Sequence, residues 1–339
     1  MQMVGGVGVR RQLRRVWRRA RELRVIAWAL LHQDHPVLAH LVPIRRCNLA
    51  CGYCNEYDHS SDPVPLPTLL DRVDHLARLG TSIITISGGE PLLHPELEEL
   101  VAAVRRRRMI AGLITNGFLL SRDRIVRLNK AGLDHLQISI DNVEPDEVSK
   151  KSLKTLNHRL ELLARWAEFH VNINTVLGSG VRNPEDALVI AQRALELGFS
   201  WTVGIIHEPG GGLKRLDERH RRVYYELRRL PRSSYARFHS FQDDIVEGRP
   251  RQWACRAGGR YLYICESGRV HYCSQQRGYP GVRLEEYSIE DLRREYRTAK
   301  SCAPSCTISC VNQVSLVDAW RAPQEPRAGL WGGRLVQID

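Results

Sequence analysis

Cys47, Cys51 and Cys54 place three thiols in the eight-residue run Cys-Asn-Leu-Ala-Cys-Gly-Tyr-Cys. Three thiolates can hold three irons of a four-iron cluster, whose usual protein complement is four cysteines, and so leave one iron open to another ligand. With His59 close by in sequence, the same thiolates could instead complete a four-coordinate zinc site. Further on, Ser87-Gly88-Gly89-Glu90-Pro91 joins a carboxylate to two glycines, and glycine lets backbone approach a ligand because no Cβ stands in the way. The same five residues also make an ordinary turn from strand to helix. Thr115-Asn116-Gly117 and the group Ser139, Asp141 and Asn142 offer hydroxyl, amide and carboxylate groups, types equally at home in caps and turns. His207 and Glu208, just before Gly210-Gly211-Gly212, bring an imidazole and a carboxylate to a loop that could face a substrate as its catalytic pair.

A second group comprises Cys255, Cys273, Cys302, Cys306 and Cys310, while Cys265 beside the apolar run 261–264 reads as a packing cysteine. Nine cysteines gathered in two clusters indicate metal or iron-sulfur ligation rather than a disulfide framework. Eight arginines precede Val25 without the apolar stretch of a signal peptide. The longest apolar run, 25–31, has seven residues, far short of the roughly 20 that span a bilayer, so a cytoplasmic location is expected. A net charge of +12 favours acidic partners such as nucleic acid, anionic lipid or an acidic redox protein. A nucleic-acid-binding zinc protein would explain the charge and the cysteines, but not the Gly-Gly-Glu-Pro run or the strand-helix series described next. No nucleic acid partner is expected.

The residues with chemical potential sit at the ends of β-rich runs. Such runs recur at 38–44, 82–87, 110–115, 135–140, 171–176 and 201–206, and helical patterns fill 66–79, 96–106, 121–131, 152–169 and 184–197. Gly80, Gly132 and Gly198 close three of these helices. Strand-helix alternation predicts an α/β fold with a parallel sheet, either partly closed into a barrel or open, and both architectures place chemistry at the carboxyl ends of the strands. The alternation stops near residue 213, after which 217–230 reads as a charged helix ended by Pro231. Before the first strand, Val9, Leu13, Val16, Trp17, Ala20 and Leu23 recur at helical spacing, with arginines over the rest of the surface.

The Cys-x3-Cys-x2-Cys signature with an aromatic before its last cysteine, together with the Gly-Gly-Glu-Pro run, resembles the radical S-adenosylmethionine superfamily over about residues 40 to 210. That resemblance implies a partial (β/α)6 TIM-like barrel with a small C-terminal auxiliary-cluster extension. The implied divisions are an N-terminal helical segment at 1–37, a core at 38–212, an extension at 213–321 and a tail at 322–339. In the family, a [4Fe-4S] cluster on the three cysteines binds S-adenosylmethionine at its open iron and reduces it to a 5'-deoxyadenosyl radical. By the same resemblance Tyr53 lies near the adenine, and Gly88, Gly89 and Glu90 address the cofactor ammonium. Thr115 and Asn116 join them, Ser139 and Asp141 serve the ribose, Asn174 reaches the cofactor, and Lys150 or Lys151 supplies a cation for its carboxylate.

The C-terminal cysteines, with Gly268 ahead of Cys273, resemble a truncated auxiliary extension holding one further [4Fe-4S] cluster. A flavodoxin- or ferredoxin-type donor is the implied electron source. A looser resemblance to the subgroup that includes adenosylhopene synthase implies a lipid or isoprenoid substrate, with the residue 9–24 helix lying peripherally on an anionic membrane, apolar side chains in the interface and arginines at headgroups. Maturation of a peptide or protein is the alternative.

Overall fold

The computed structural model describes residues 4–178, 180–206, 214–231 and 241–321. A long helix, α1 (Val4–Leu31), precedes the alternating series β1 (Leu38–Leu41), α2 (Leu66–Arg78), β2 (Ile83–Ile86), α3 (Leu97–Arg106), β3 (Ile110–Thr115) and α4 (Arg122–Ala131). The series continues with β4 (His135–Ser139), α5 (Leu153–Trp166), β5 (His170–Gly178), α6 (Asp186–Glu196) and β6 (Ser200–Ile206). All six expected strands form, and each pairs in parallel with the next.

The strands owe their two-faced character to period-2 side-chain alternation. Ala39, Leu41, Ile84, Ile86, Leu136, Ile138, Val171 and Ile173 point at the helices and form the main core. The intervening positions, His40, Thr85, Gln137, Asn172 and Thr202, line a cavity on the concave face. The helices bury their apolar stripes on the outside of this sheet and are stopped where local chemistry permits. In α4, Ser121 Oγ accepts the Arg124 N–H at the start, and Gly132 adopts φ +88° at the end, a left-handed conformation that strains any residue with a Cβ.

After α7 (Glu218–Arg229) and α8 (Gln242–Val246), the chain returns to the same sheet. β7 (Tyr261–Ile264) pairs in parallel with β1, while β8 (Arg269–His271) and β9 (Pro280–Arg283) add antiparallel. The result is one open, nine-stranded sheet in the order β6-β5-β4-β3-β2-β1-β7-β8-β9, a partial barrel that does not close. Two further helices, α9 (Ile289–Arg297) and α10 (Ser309–Leu316), follow it.

Helix α1 docks in an unexpected sense. Arg11 donates to the Ala164 carbonyl at 3.0 Å and Arg14 to the Asn129 carbonyl at 2.7 Å, both in the last turns of barrel helices. Arg14 also pairs with Glu168 at 2.8 Å, and Arg21 pairs with the buried Asp134. Cations meet the negative ends of α4 and α5, so the arginine face of α1 turns inward. The far end is fixed by the extension: Arg260 donates to the carbonyls of Ala29, His32 and His35 and pairs with Asp318 at 2.8 Å, both side chains fully buried.

Candidate active site

The cysteine loop leaves β1 and closes on itself. Cys47 N–H donates to the Asp58 carbonyl at 2.9 Å, Asp58 N–H returns to the Arg45 carbonyl, and the Asp58 carboxylate caps the amides of Ser60 and Ser61. Gly52 N–H ties the loop to Val148 at 2.9 Å. Cys51 lies 3.9 Å from the Ser149 hydroxyl, and the Cys47 sulfur is met by Leu49 N–H at 3.4 Å and the Asn116 amide at 3.8 Å. Cys47 and Cys54 are each close enough to Cys51 for its charge to raise their pKa values, but burial is the larger cause, taking Cys54 to about 11. Among the described residues, no three Cys, His, Asp or Glu side chains close around a single metal ion.

Gly88 and Gly89 leave room for backbone, and the chain itself takes that room. A Cβ on Gly89 would stand 2.1 Å from the Arg45 carbonyl oxygen, and one on Gly88 would meet the Ile44 carbonyl oxygen at 2.7 Å. The glycines thus press the end of β2 against the residues that lead into Cys47, with Glu90 N–H donating to the Arg46 carbonyl at 3.0 Å. Glu90 is completely buried. Its carboxylate accepts from Leu92 N–H at 2.9 Å, the Thr115 hydroxyl at 2.7 Å and Asn116 N–H at 2.8 Å. Burial raises its pKa against the opposing pull of those donors. Thr115 donates to Glu90 and accepts from Gly117 N–H, so its hydroxyl is engaged on both sides. Asn116 reaches the cysteine loop through Asn48 at 2.7 Å. Glu90 therefore fastens β2 to β3 and aims Asn116 at Cys47.

Four residues gather after β4. Tyr53 donates to Asp141 at 2.5 Å, Ser149 donates to the same oxygen at 2.6 Å, and Lys151 pairs with Asp141 at 3.1 Å while donating to the Tyr53 hydroxyl. Burial opposes the Lys151 ammonium, yet Asp141 and Tyr53 more than offset it and raise its pKa. Of the two candidate lysines, Lys150 instead reaches outward to the Asp146 carbonyl. The second Asp141 oxygen, Oδ1, is buried without a partner, as are Ser87 Oγ and Asn142 Oδ1. Tyr53, Asp141, Asn142 and Ser149 line a cavity of about 370 Å³. Tyr53 and Ile206 also line the concave-face cavity of about 410 Å³, so the two spaces adjoin. Ser139 stands opposite Asn174 in the β4–β5 register, and Asn174 accepts from Thr202 at 3.0 Å. His207 and Glu208 lie outside the described residues.

Beyond the barrel, Cys255 precedes β7, Cys273 follows β8, Cys302 and Cys306 flank a short turn, and Cys310 lies in the first turn of α10. Burial raises the pKa of every one of them. Cys273 also feels Cys306, Cys255 and Cys302, which marks those four as neighbours. Cys310 hydrogen-bonds with Tyr261 and opens on the larger cavity. Cys265 is buried as expected, but although burial raises its pKa, hydrogen bonds from His271 and Ser267 bring the thiol down to about 6.

Ser149, Asn48 and Asp58 were not singled out from sequence. Short polar residues in loops carry no periodic signal, and only the folded chain brings Ser149 between Cys51 and Asp141.

Residues 41–204 match the family described as the Radical SAM superfamily. The PqqA peptide cyclase of Gluconobacter oxydans (strain 621H) is 38% identical over 101 residues, 29% of this chain and 28% of that protein. The GTP 3',8-cyclase of Aquifex aeolicus (strain VF5) is 30% identical over 167 residues, 46% of this chain and 52% of that one. The chain thus spans about half or less of these relatives' own length. In three dimensions it resembles Streptococcus suis SuiB, with a TM-score of 0.57 and 15% identity over 83% of this chain and 72% of that one. It also resembles anSMEcpe, solved with AdoMet and a peptide, with a TM-score of 0.54 and 15% identity over 84% and 98% of the two chains. These solved structures share the fold.

Proposed function

We propose, because residues 41–204 match the Radical SAM superfamily, that this chain is a radical SAM enzyme that holds a [4Fe-4S] cluster on Cys47, Cys51 and Cys54 and modifies a carbon centre of a polar, peptide-like substrate. When bound, the cluster and S-adenosylmethionine supply a 5'-deoxyadenosyl radical, which takes a hydrogen atom from carbon. The observation that carries this reading is the three-thiol loop set beside a cavity in which Asp141 Oδ1 is a buried acceptor awaiting a donor. A ribose hydroxyl would satisfy it. Asn116 and Ser149 steady the thiol loop, Lys151 pairs with Asp141, and Glu90 holds Asn116 in place. Ser139 and Asn174 would complete the cofactor's polar surroundings.

The larger cavity supports this substrate class. Thr85, Gln137, Asn172, Asn174 and Thr202 line it, hydroxyl and amide groups suited to hydrogen-bonding peptide units. Peptides appear in the names of PqqA peptide cyclase and of the peptide-bound structure of anSMEcpe, which supports the same class. A lipid or isoprenoid substrate is the second reading, favoured by the apolar surface of α1. Cys255, Cys273, Cys302 and Cys306 would hold a second [4Fe-4S] cluster, leaving Cys310 to face the cavity. The net charge of +12 suits an acidic flavodoxin- or ferredoxin-type electron donor in the cytoplasm.

The test is Cys51→Ala in anaerobically reconstituted protein. Wild type should release 5'-deoxyadenosine from S-adenosylmethionine under reduction; the variant should not, and should lose about four irons while keeping an auxiliary cluster. Undiminished 5'-deoxyadenosine from the variant would overturn the assignment.

A further inference from the structure

Among the described residues, eight of the large apolar side chains that stand exposed belong to one helix, α1. Its inward face is spent on arginines, so its apolar stripe has nowhere to go but out. Leu13, Val16, Trp17, Leu23 and Leu31 are all more than half exposed, Trp17 at 67% and Leu31 at 75%. The stripe runs from Leu13 to Leu31, about 27 Å at 1.5 Å per residue. Monomeric surfaces rarely leave so continuous an apolar strip uncovered.

Charge decides what covers it. Arg15, Arg19 and Arg24 lie beside or within the stripe, are exposed, and form no ion pair among the described residues. The single carboxylate of α1, Glu22, is turned inward to Arg18 and His135. A second copy of this chain, packed stripe to stripe, would set arginine against arginine with no carboxylate between them. An anionic bilayer offers what the face lacks: hydrocarbon for the leucines, an interfacial layer for Trp17 and Trp28, and phosphate for the three arginines.

We propose that the outward face of α1 is a docking surface for anionic lipid, on which the enzyme rests by the end of the barrel opposite its cysteine loop. The geometry supports this end, because α1 contacts Asp134 and Glu168, which precede β4 and β5, whereas the thiols follow the carboxyl end of β1. The inference concerns location and does not depend on the reaction proposed above. It also differs from a simple amphipathic anchor, since Arg11, Arg14 and Arg21 serve the barrel, Arg18 pairs with Glu22 within the helix, and among the described side chains of α1 Arg15, Arg19 and Arg24 remain for headgroups.

The test is co-sedimentation of the full chain with vesicles of phosphatidylglycerol and phosphatidylcholine in equal parts, and with phosphatidylcholine alone. Wild type should pellet with the anionic vesicles and be released by high salt. The pair Leu13→Glu and Trp17→Glu should abolish pelleting with unchanged thermal unfolding; if it unfolds early, Trp17→Ser gives the same readout more gently. The pair Arg15→Gln and Arg19→Gln should weaken binding about thirtyfold, two charges at about one-fifth each. Pelleting of the acidic variant at the wild-type level, or wild type remaining in solution with anionic vesicles, overturns the proposal. So does a wild-type dimer that Trp17→Glu dissociates without vesicles. Because the measurement needs no turnover, its failure leaves the radical chemistry untouched, and the converse holds.

Discussion

Replacing Glu90 by alanine should damage the fold of the ligand-free protein, beyond any effect on the cofactor. The carboxylate is the shared acceptor of Leu92 N–H, the Thr115 hydroxyl and Asn116 N–H, all buried. Each donor left unsatisfied costs about 1–3 kcal/mol, so the three together come to roughly 3–9 kcal/mol, with water in the vacated space favouring the lower end. Against a typical total stability of about 5–15 kcal/mol, that is a large share. A carboxylate that served only the cofactor ammonium would leave ligand-free stability unchanged and cost about 1.5–3 kcal/mol in binding. Urea unfolding followed by circular dichroism separates these cases. Glu90→Ala should lose about 3 kcal/mol or more. Glu90→Gln should fall between, since its amide oxygen can keep Leu92 and Thr115 while its NH2 opposes the Asn116 N–H. Wild-type urea stability for Glu90→Ala, with loss confined to S-adenosylmethionine affinity, would refute the reasoning.

Asp141→Ala should strand the buried Lys151 ammonium, costing about 3–5 kcal/mol and weakening S-adenosylmethionine binding in equilibrium dialysis; Tyr53→Phe should be milder, since the Lys151–Asp141 pair at 3.1 Å survives it. Asp318→Ala leaves Arg260 unpaired at a fully buried position, so it should lower the melting temperature and hasten proteolytic release of α1. Burial, aided by Arg260, lowers the His35 pKa from 6.5 to about 4, and its Nε2 has no partner. The unfolded chain then takes up a proton that the folded one refuses, so stability present above pH 6.5 should drain away as pH falls towards about 4, by up to about 3 kcal/mol. His35→Phe should flatten that part of the denaturation profile; an unaltered profile would show that another group governs it.

The strands and the cysteine motif were legible because each has a local signature: period-2 apolar runs in one case, fixed spacing in the other. Tyr53, Asp141 and Lys151 were named separately, and the fold brings them into one hydrogen-bonded group. Less visible was the inward commitment of Glu90 and Thr115, because a motif tells which residues matter and not which way a carboxylate faces. The pattern of α1 announced an amphipathic helix but not its orientation. Apolar faces ordinarily turn inward, and here the helix ends of α4 and α5, with Asp134 and Glu168, presented a surface better matched to arginine. The return of β7 to the flank of β1 was equally hidden, since a four-residue strand after a long interruption says nothing about its partner.

That pairing has a consequence for how the chain is made. On a ribosome β1 finds β2 soon after it emerges, but its other edge belongs to Tyr261–Ile264, which follows only after β3 to β6 have been made. Until that strand arrives, the nascent sheet presents a bare row of amides and carbonyls, the kind of edge that recruits a neighbouring chain. Arg260, which holds the end of α1, arrives with that strand, and its partner Asp318 follows later. The pairing of β7 with β1 is thus a late closure that seals a vulnerable edge and, with Arg260, helps to pin the first helix. A chain cut short before β7 would carry every residue of the cysteine loop and still be prone to aggregate.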